Sequence, residues 1–92
     1  MSAKKLLAVD IGNTNIILGI YAGEDMVASW RIATERWRTA DEWGLALLGL
    51  LGMRSIAPGI VDAVVIGSVV PAVTQAWVEM CRKSLGMEPL SV

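Results

Sequence analysis

The 92-residue sequence contains no histidine and only one cysteine, Cys81. The lack of histidine removes the commonest general base and the commonest zinc ligand, so acid–base chemistry would fall to aspartate or glutamate. A single cysteine cannot form a disulfide within the chain. Because Cys81 falls on the apolar face of a predicted helix, we expect a buried and unreactive thiol.

The sequence also lacks an excess of charge and a long hydrophobic run. Its formal net charge is -1, which gives no strong general attraction to nucleic acid or to anionic lipid. The longest apolar stretches, residues 45–53 and 63–73, are shorter than a membrane-spanning helix requires, and Asp10 lies too near the N-terminus for a signal peptide. We therefore expect a cytoplasmic protein that binds neither membrane nor nucleic acid.

Apolar residues, by contrast, are abundant. They make up 54% of the chain, and the mean hydropathy is +0.55. This is high for a small domain, which leaves much of its surface in water. Since no membrane span is expected, part of this apolar surface is predicted to be covered by a partner or by a further domain.

The pattern of apolar residues predicts an α/β domain with the element order β-β-β-α-β-α-β. Three short apolar segments separated by turn signals predict an antiparallel meander, and the later segments predict parallel strands joined by helices. The predicted strands are residues 4–9, 16–21, 26–32, 63–66 and one that begins at 89–92; the predicted helices are residues 40–51 and one from 71 to a cap at Gly86. This is the plan of a ribonuclease-H-like (actin-like ATPase) half-domain, which we expect to span residues 1–92.

Several packing features of the helices are also predicted. Thr39 and Glu42 fit a capping box at the start of the first helix. Apolar side chains lie nearly all round that helix, which predicts cover on more than one side, and Gly49 in its interior suggests a close approach of another element. On the second helix, Glu79 and Lys83 are expected to form a surface pair.

The first hairpin is interrupted by a polar sequence, Asp-Ile-Gly-Asn-Thr-Asn, at residues 10–15. An acid at the end of a buried strand needs a partner, and hydrated Mg²⁺ is a natural one because it prefers oxygen ligands and retains waters. Gly12 allows the main chain to approach an anion, and the polar residues that follow supply donors for a phosphate. The alternative is a tight hairpin in which Asn and Gly serve only the turn. The place of the motif after the first strand favours a site for a metal-bound polyphosphate.

Three arginines, Arg31, Arg36 and Arg38, alternate with Trp30 and Trp37. Such a group resembles a strip that binds single-stranded nucleic acid by stacking and phosphate contacts. In a chain with a net charge of -1 it more often marks a solvated loop, and we favour that interpretation.

Three motifs occur in the order and at the spacing of one enzyme family. They are DIGNTN at residues 10–15, RTADE at residues 38–42 and GSVVP at residues 67–71. WRIAT at residues 30–34 accompanies them, and RTADE lies in a longer matching string that begins at Arg36. Together they resemble the type III pantothenate kinases, of the actin-like and sugar-kinase superfamily, over nearly the whole chain. The resemblance implies transfer of the γ-phosphoryl group of ATP to the primary hydroxyl of pantothenate, the first step of coenzyme A synthesis. It also implies Mg²⁺, a monovalent cation (K⁺ or NH₄⁺) and a homodimer.

The resemblance implies which residues contact the nucleotide. Asp10 corresponds to the acid that orients magnesium, through water, and the phosphates. The phosphate-binding hairpin corresponds to Ile11, Gly12, Asn13, Thr14, Asn15, Ile16 and Ile17. Ser68, at the junction of a strand and a helix, would face the same cleft, where its amide and hydroxyl suit an anion. The family usually has serine where Gly67 stands.

The family's chain is far longer than this one. Its second domain carries a Gly-Ala-Asp-Arg-type motif, with the catalytic aspartate and pantothenate contacts, and a later Gly-Thr-Ala-type motif for the nucleotide. Neither motif occurs here. We therefore expect an N-terminal half that is inactive alone, with its catalytic base in a missing C-terminal domain. The alternative is a non-catalytic relative, a transcriptional accessory factor with the same fold.

Overall fold

The computed structural model describes residues 4–92, which form a five-stranded sheet and two main helices. The strands are β1 (Lys5–Ile11), β2 (Asn15–Ala22), β3 (Asp25–Ala33), β4 (Ala63–Ser68) and β5 (Leu90–Ser91). The helices are α1 (Ala40–Met53) and α2 (Pro71–Met80), with a 3₁₀ turn at Pro58–Ile60 and a π-helical turn at Cys81–Leu85 after α2. The predicted element order is confirmed. Among these residues, no helix has the length and apolar character needed to cross a membrane.

The order of strands in the sheet brings the DIGNTN and GSVVP motifs together at the carboxyl ends of two strands. From one side to the other the strands run β3-β2-β1-β4-β5. β1 pairs antiparallel with β2, and β2 with β3, whereas β4 adds to the other side of β1 in parallel and β5 adds in parallel to β4. Asp10 therefore lies beside Gly67, and Ile11 beside Ser68, at the carboxyl ends of two adjacent parallel strands. The turn between β1 and β2 lies at this same end of the sheet.

Both helices pack on one face of the sheet. Alternation along β1 buries Leu7, Val9 and Ile11 beneath the helices and directs Asp10 to the opposite face. The helices contact each other through buried tryptophans, Trp43 and Trp77, whose ring centroids are 5.4 Å apart. Within residues 4–92, the opposite face of the sheet is covered by no helix, and the acid of the polar motif lies on that open face.

The packing expected around α1 is only partly found. Its buried stripe faces α2 and the sheet, but Leu45 and Met53 are 77% and 78% exposed, so the described residues cover it on one side only. The close approach expected at Gly49 is wrong, because a Cβ there would have no neighbour within 4 Å. The tightly packed glycine is Gly44, where a Cβ would lie 2.5 Å from Ser84 Oγ. Gly44 is buried because it falls on the stripe that faces the end of α2.

The predicted start of α1 and the predicted cap at Gly86 are confirmed, and α1 runs two residues beyond its predicted end, to Met53. The Glu42 amide donates to Thr39 Oγ1 at 3.2 Å, and the Thr39 amide donates to Glu42 Oε1 at 2.9 Å, which completes the capping box. Gly86 ends the π-helical turn with a φ of 66°, in the left-handed region that glycine adopts without a Cβ clash. These local signals fix where both helices begin or end.

The ion pair expected on α2 is wrong. Lys83 Nζ lies 2.8 Å from Asp41 Oδ1, at the start of α1, instead of pairing with Glu79. The contact between Gly44 and Ser84 holds the two helices so close at this point that Lys83 reaches Asp41. The ion pair therefore joins the start of α1 to the segment after α2.

Candidate functional site

The turn between β1 and β2, residues 12–14, is narrow but does not use left-handed main-chain angles. The Gly12 amide donates to Asn15 O at 2.9 Å. In the described part of the chain, Gly12, Asn13 and Thr14 all lie outside the positive-φ region. A two-residue type I′ turn, which requires positive φ at both central positions, is therefore excluded. Glycine at position 12 instead avoids a tight contact, because a Cβ there would approach Asn15 O to 3.1 Å.

At this tip, residues 12–15, the main-chain oxygens all accept hydrogen bonds, whereas two of the main-chain amides donate none. Each main-chain oxygen accepts a hydrogen bond: Gly12 O from Thr34 Oγ1 at 2.8 Å, Asn13 O from Arg36 Nη2 at 3.4 Å, Thr14 O from the Thr34 amide at 2.9 Å, and Asn15 O from the Gly12 amide at 2.9 Å. The amides of Asn13 and Thr14 donate to no acceptor within residues 4–92. Adjacent main-chain N–H groups without a partner could bind an anion.

Asp10 precedes the tip in the same hairpin, two positions before Gly12, and it is exposed. The strand that contains it is buried on one side only, because the odd-numbered residues of β1 are the ones that face the helices. The Asp10 carboxylate makes no hydrogen bond or ion pair with any other part of the chain that the structure describes. Both oxygens are therefore available to a ligand or to a metal ion.

The donor set at Asp10 fits magnesium that arrives with a nucleotide. Nowhere in residues 4–92 do three or more His, Cys, Asp or Glu side chains come together as a metal cluster. Mg²⁺ in nucleotide sites is held through one or two carboxylates together with phosphate oxygens and waters. Asp10 could supply one such carboxylate, directly or through water, and the unbonded amides of the tip could hold the phosphates.

A cavity of about 420 Å³ opens on the same face of the sheet as Asp10. Its size falls within the range of about 300–1,000 Å³ that is typical of small-molecule sites. Its walls are mostly apolar or small side chains around Asp10, among them Ala8, Ile17, Gly19, Tyr21, Met26, Ser29, Val65 and Gly67. The cavity suits the uncharged part of a ligand whose anionic part lies at the tip.

The three isoleucines predicted in the site are placed differently. Ile17 pairs with Asp10 across β1 and β2, is 43% exposed, and lines the cavity. Ile11 and Ile16 are fully buried on the helix side of the sheet. Only their main chain is available to a ligand, so their side chains serve the core.

Ser68 faces away from Asp10, although it ends the strand next to it. Ser68 pairs with Ile11, so both lie on the face of the sheet that the helices cover. Gly67 is the residue beside Asp10. The Ser68 hydroxyl accepts from the Val70 amide at 2.9 Å and donates to Val70 O at 3.2 Å. In this structure the hydroxyl stabilises the turn into α2.

Sequence reasoning missed Thr34 and Arg36 as part of the site. Arg36 Nη2 also lies 3.2 Å from Asn13 Oδ1, so it contacts the tip through two oxygens. Arg38, in the same loop, is instead 2.9 Å from Glu35 Oε1 and stacks over Trp43 at 5.3 Å. Nothing local in the sequence distinguishes the two arginines, because the partner of Arg36 is 23 positions away.

Comparison with protein families gives an independent view of the chain. The family model described as type III pantothenate kinase matches residues 6–92. Type III pantothenate kinases from Moorella thermoacetica and Geobacter sulfurreducens are 47% and 42% identical to it over 87 residues. Each alignment covers 95% of this chain and 34% of the relative. The chain thus spans about a third of the length of the curated relatives that it matches.

Solved structures share the fold. The activator of the 2-hydroxyisocaproyl-CoA dehydratase from Clostridium difficile, with bound ADPNP, is 27% identical with a TM-score of 0.56, over 71% of this chain and 24% of that one. YeaZ from Pseudomonas aeruginosa is 21% identical with a TM-score of 0.65, over 97% of this chain and 43% of that one. Together with the strand order, these likenesses confirm the actin-like fold class predicted from the sequence.

Proposed function

The chain belongs to the type III pantothenate kinase family, and we propose that it is the part of such a kinase that binds the phosphates of ATP. In the proposed reaction the primary hydroxyl oxygen of pantothenate bonds to the γ-phosphorus. The bond from that phosphorus to the β,γ-bridging oxygen breaks, ADP leaves with the electron pair, and a base takes the hydroxyl proton. Phosphoryl transfer of this kind depends mostly on positioning and on charge stabilisation.

One observation carries the proposal: a single hairpin, β1–β2, holds both the unbonded amides of Asn13 and Thr14 and the exposed, unpaired Asp10. The amides would donate to phosphate oxygens, and Asp10 would hold the magnesium that accompanies them. When bound, that ion neutralises charge on the phosphates. The chain's own contribution is therefore to bind and orient the triphosphate, since a rigid main-chain donor set needs no rearrangement during the reaction.

We further propose that residues 1–92 form an N-terminal domain, and that the base and most pantothenate contacts come from a C-terminal domain. The support is that the alignment with the Moorella thermoacetica kinase covers only 34% of that protein. The 92-residue chain alone is then expected to bind nucleotide weakly and to show no turnover.

The remaining components of the proposal come from the family resemblance. They are a monovalent cation, K⁺ or NH₄⁺, a homodimer, and a cytoplasmic location where ATP is available. Stimulation of the full-length protein by KCl or NH₄Cl over NaCl tests the cation. Its mass in solution by light scattering tests the dimer, because a monomer at assay concentrations would contradict it.

The experiment that tests the proposed function compares Asp10→Asn with Asp25→Asn in the full-length protein. Asp25 begins β3 at the opposite end of the sheet from the tip, so it is a matched exposed control. Loss of one well-placed electrostatic contact typically costs about 10²–10³-fold in kcat. We expect that loss of pantothenate phosphorylation for Asp10→Asn and none for Asp25→Asn. Equal rates would contradict the role of Asp10, and a full-length protein that binds ATP without phosphorylating pantothenate would favour the accessory-factor alternative.

A further inference from the structure

The segment that follows β3 lies against the β1–β2 tip and bonds only to its oxygens. Thr34 makes two of these contacts, from its hydroxyl to Gly12 O at 2.8 Å and from its amide to Thr14 O at 2.9 Å. A hydroxyl and an amide on the same residue thus hold the two carbonyls that flank Asn13. The contacts fix the rotation of the peptide groups between them.

Arg36, in the same segment as Thr34, bonds to the remaining carbonyl oxygen of the tip. Its Nη2 is 3.4 Å from Asn13 O and 3.2 Å from Asn13 Oδ1. The first contact holds Asn13 O, the one main-chain oxygen of the tip that bonds neither to Thr34 nor to the Gly12 amide. The second turns the oxygen of the Asn13 side chain toward the guanidinium and so leaves the NH₂ group of that amide pointing elsewhere.

The electrostatic consequence follows from the geometry of a peptide. N–H and C=O point in opposite directions, so tying the carbonyls to one side directs the amides of Asn13 and Thr14 to the other. Carbonyl oxygens that faced a phosphate would repel it. The guanidinium also brings a positive charge to the tip, which suits an anionic ligand.

We propose that Thr34 and Arg36 are positioning residues that hold the tip in the orientation that binds triphosphate, by fixing its carbonyls away from the anion. This inference rests on the proposed function for the identity of the ligand. It assigns a role to two residues that the resemblance covers, Thr34 at the end of WRIAT and Arg36 at the start of the next string, but for which it implies no role. Neither residue needs to contact the nucleotide, because both act through the main chain of residues 12–14.

The variants that test the inference remove the donors and keep the shape. Thr34→Val removes the hydroxyl, Arg36→Gln removes the charge and the fork of donors, and Arg36→Lys restores the charge alone. Arg54→Gln is the matched control, because the Arg54 guanidinium also bonds to a single main-chain oxygen, that of Val27 at 3.3 Å, but far from the tip. Each variant is made in the full-length protein labelled with ¹⁵N.

Two readouts separate this inference from the proposed function. The first is titration with magnesium tripolyphosphate, followed by the amide resonances of Asn13 and Thr14, which needs no pantothenate. The second is a comparison of the change in KM for MgATP with the changes in KM for pantothenate and in kcat. Unchanged amide resonances elsewhere in the sheet show that each variant is folded.

The inference predicts that Thr34→Val weakens tripolyphosphate binding at the tip about fivefold and Arg36→Gln about tenfold or more, as expected for a neutral and a charged hydrogen bond. Arg36→Lys should recover part of the loss, and Arg54→Gln should match the wild type. KM for MgATP should rise in parallel while KM for pantothenate stays constant. The inference would be overturned if both variants kept the wild-type changes in the Asn13 and Thr14 amide resonances on titration with magnesium tripolyphosphate. It would also be overturned if the wild type showed no such changes. Shifts that the variants abolish in a protein without kinase activity would leave the inference standing and refute the proposed function.

Discussion

Gly67 lies directly beside Asp10 in the parallel pairing of β1 and β4, so the strand next to the candidate acid carries no side chain at that point. Both residues line the open-face cavity. A side chain at position 67 would share the same face of the sheet as the Asp10 carboxylate. The space beside the carboxylate is therefore set by one glycine.

A large residue at this position should obstruct the site without unfolding the protein. A Cβ at Gly67 would lie 3.6 Å from Val92 Cγ2, which is an ordinary contact, so Gly67→Ser should fold and bind like the wild type. Gly67→Leu should raise KM for MgATP about tenfold or more, because its side chain occupies the space that a ligand needs beside Asp10. Steady-state kinetics of the full-length variants measure this. A leucine variant with the same KM as the serine variant would show that the ligand does not use this space.

The two glycines of α1 should respond in opposite ways to alanine. Gly49→Ala should raise the free energy of unfolding by about 0.5–1 kcal/mol, because alanine favours a helix interior and nothing lies within 4 Å of the new methyl group. Gly44→Ala should gain none of this, since its methyl group would lie 2.5 Å from Ser84 Oγ. Urea denaturation of each variant gives the comparison. A gain at Gly44 as large as that at Gly49 would mean that α1 and the end of α2 are less closely packed than described.

The capping box at the start of α1 should make a measurable contribution to stability. Thr39→Ala removes the oxygen that accepts from the Glu42 amide, at a cost of about 1 kcal/mol in the free energy of unfolding. Thr39→Ser keeps that oxygen and is expected to lose little. Denaturant unfolding followed by circular dichroism distinguishes the two, and equal losses would indicate that the hydroxyl has no capping role.

Cys81 should make stability depend on pH in the alkaline range. Burial, with a smaller contribution from Glu88, raises the pKa of the thiol from 9.0 to about 11. Below about pH 9 the thiol is protonated in both the folded and the unfolded chain, so its contribution is fully present. Between pH 9 and 11 only the unfolded chain ionises, and that contribution is lost as pH rises.

The measurement for Cys81 is a difference between two proteins. The free energy of unfolding of the wild type, minus that of Cys81→Ala, should fall from pH 9 to pH 11 and stay constant below pH 9. A difference that does not change with pH would show that the thiol is not protected by burial. The predicted inertness of this thiol agrees with its complete burial.

Local signals in the sequence were sufficient for the order of elements and for the ends of the helices. The capping box at Thr39 and the left-handed cap at Gly86 involve residues that are close in the chain, so a short window contains the whole interaction. The mixed sheet, with three antiparallel strands and then parallel ones, followed from the short connections of the meander and from the buried, continuously apolar strand at residues 63–66.

Features that depend on how elements meet were not predictable. Gly44 and Gly49 are five positions apart on one helix, and only the position of the π-helical turn after α2 determines which of them is crowded. The exposure of Asp10 depends on which face of β1 the helices cover. The contacts of Thr34 and Arg36 with the tip span 22 and 23 positions, and no periodic pattern reports such a pairing.

A crystal structure of the full-length protein with Mg²⁺ and a non-hydrolysable ATP analogue would locate the phosphates relative to the tip. We expect phosphate oxygens within hydrogen-bond distance, about 2.7–3.2 Å, of the amide nitrogens of Asn13 and Thr14. We also expect the magnesium ion on the side of Asp10, in direct contact or through one water. Phosphates bound elsewhere, with the amides of the tip still unbonded, would contradict the proposed role of the tip.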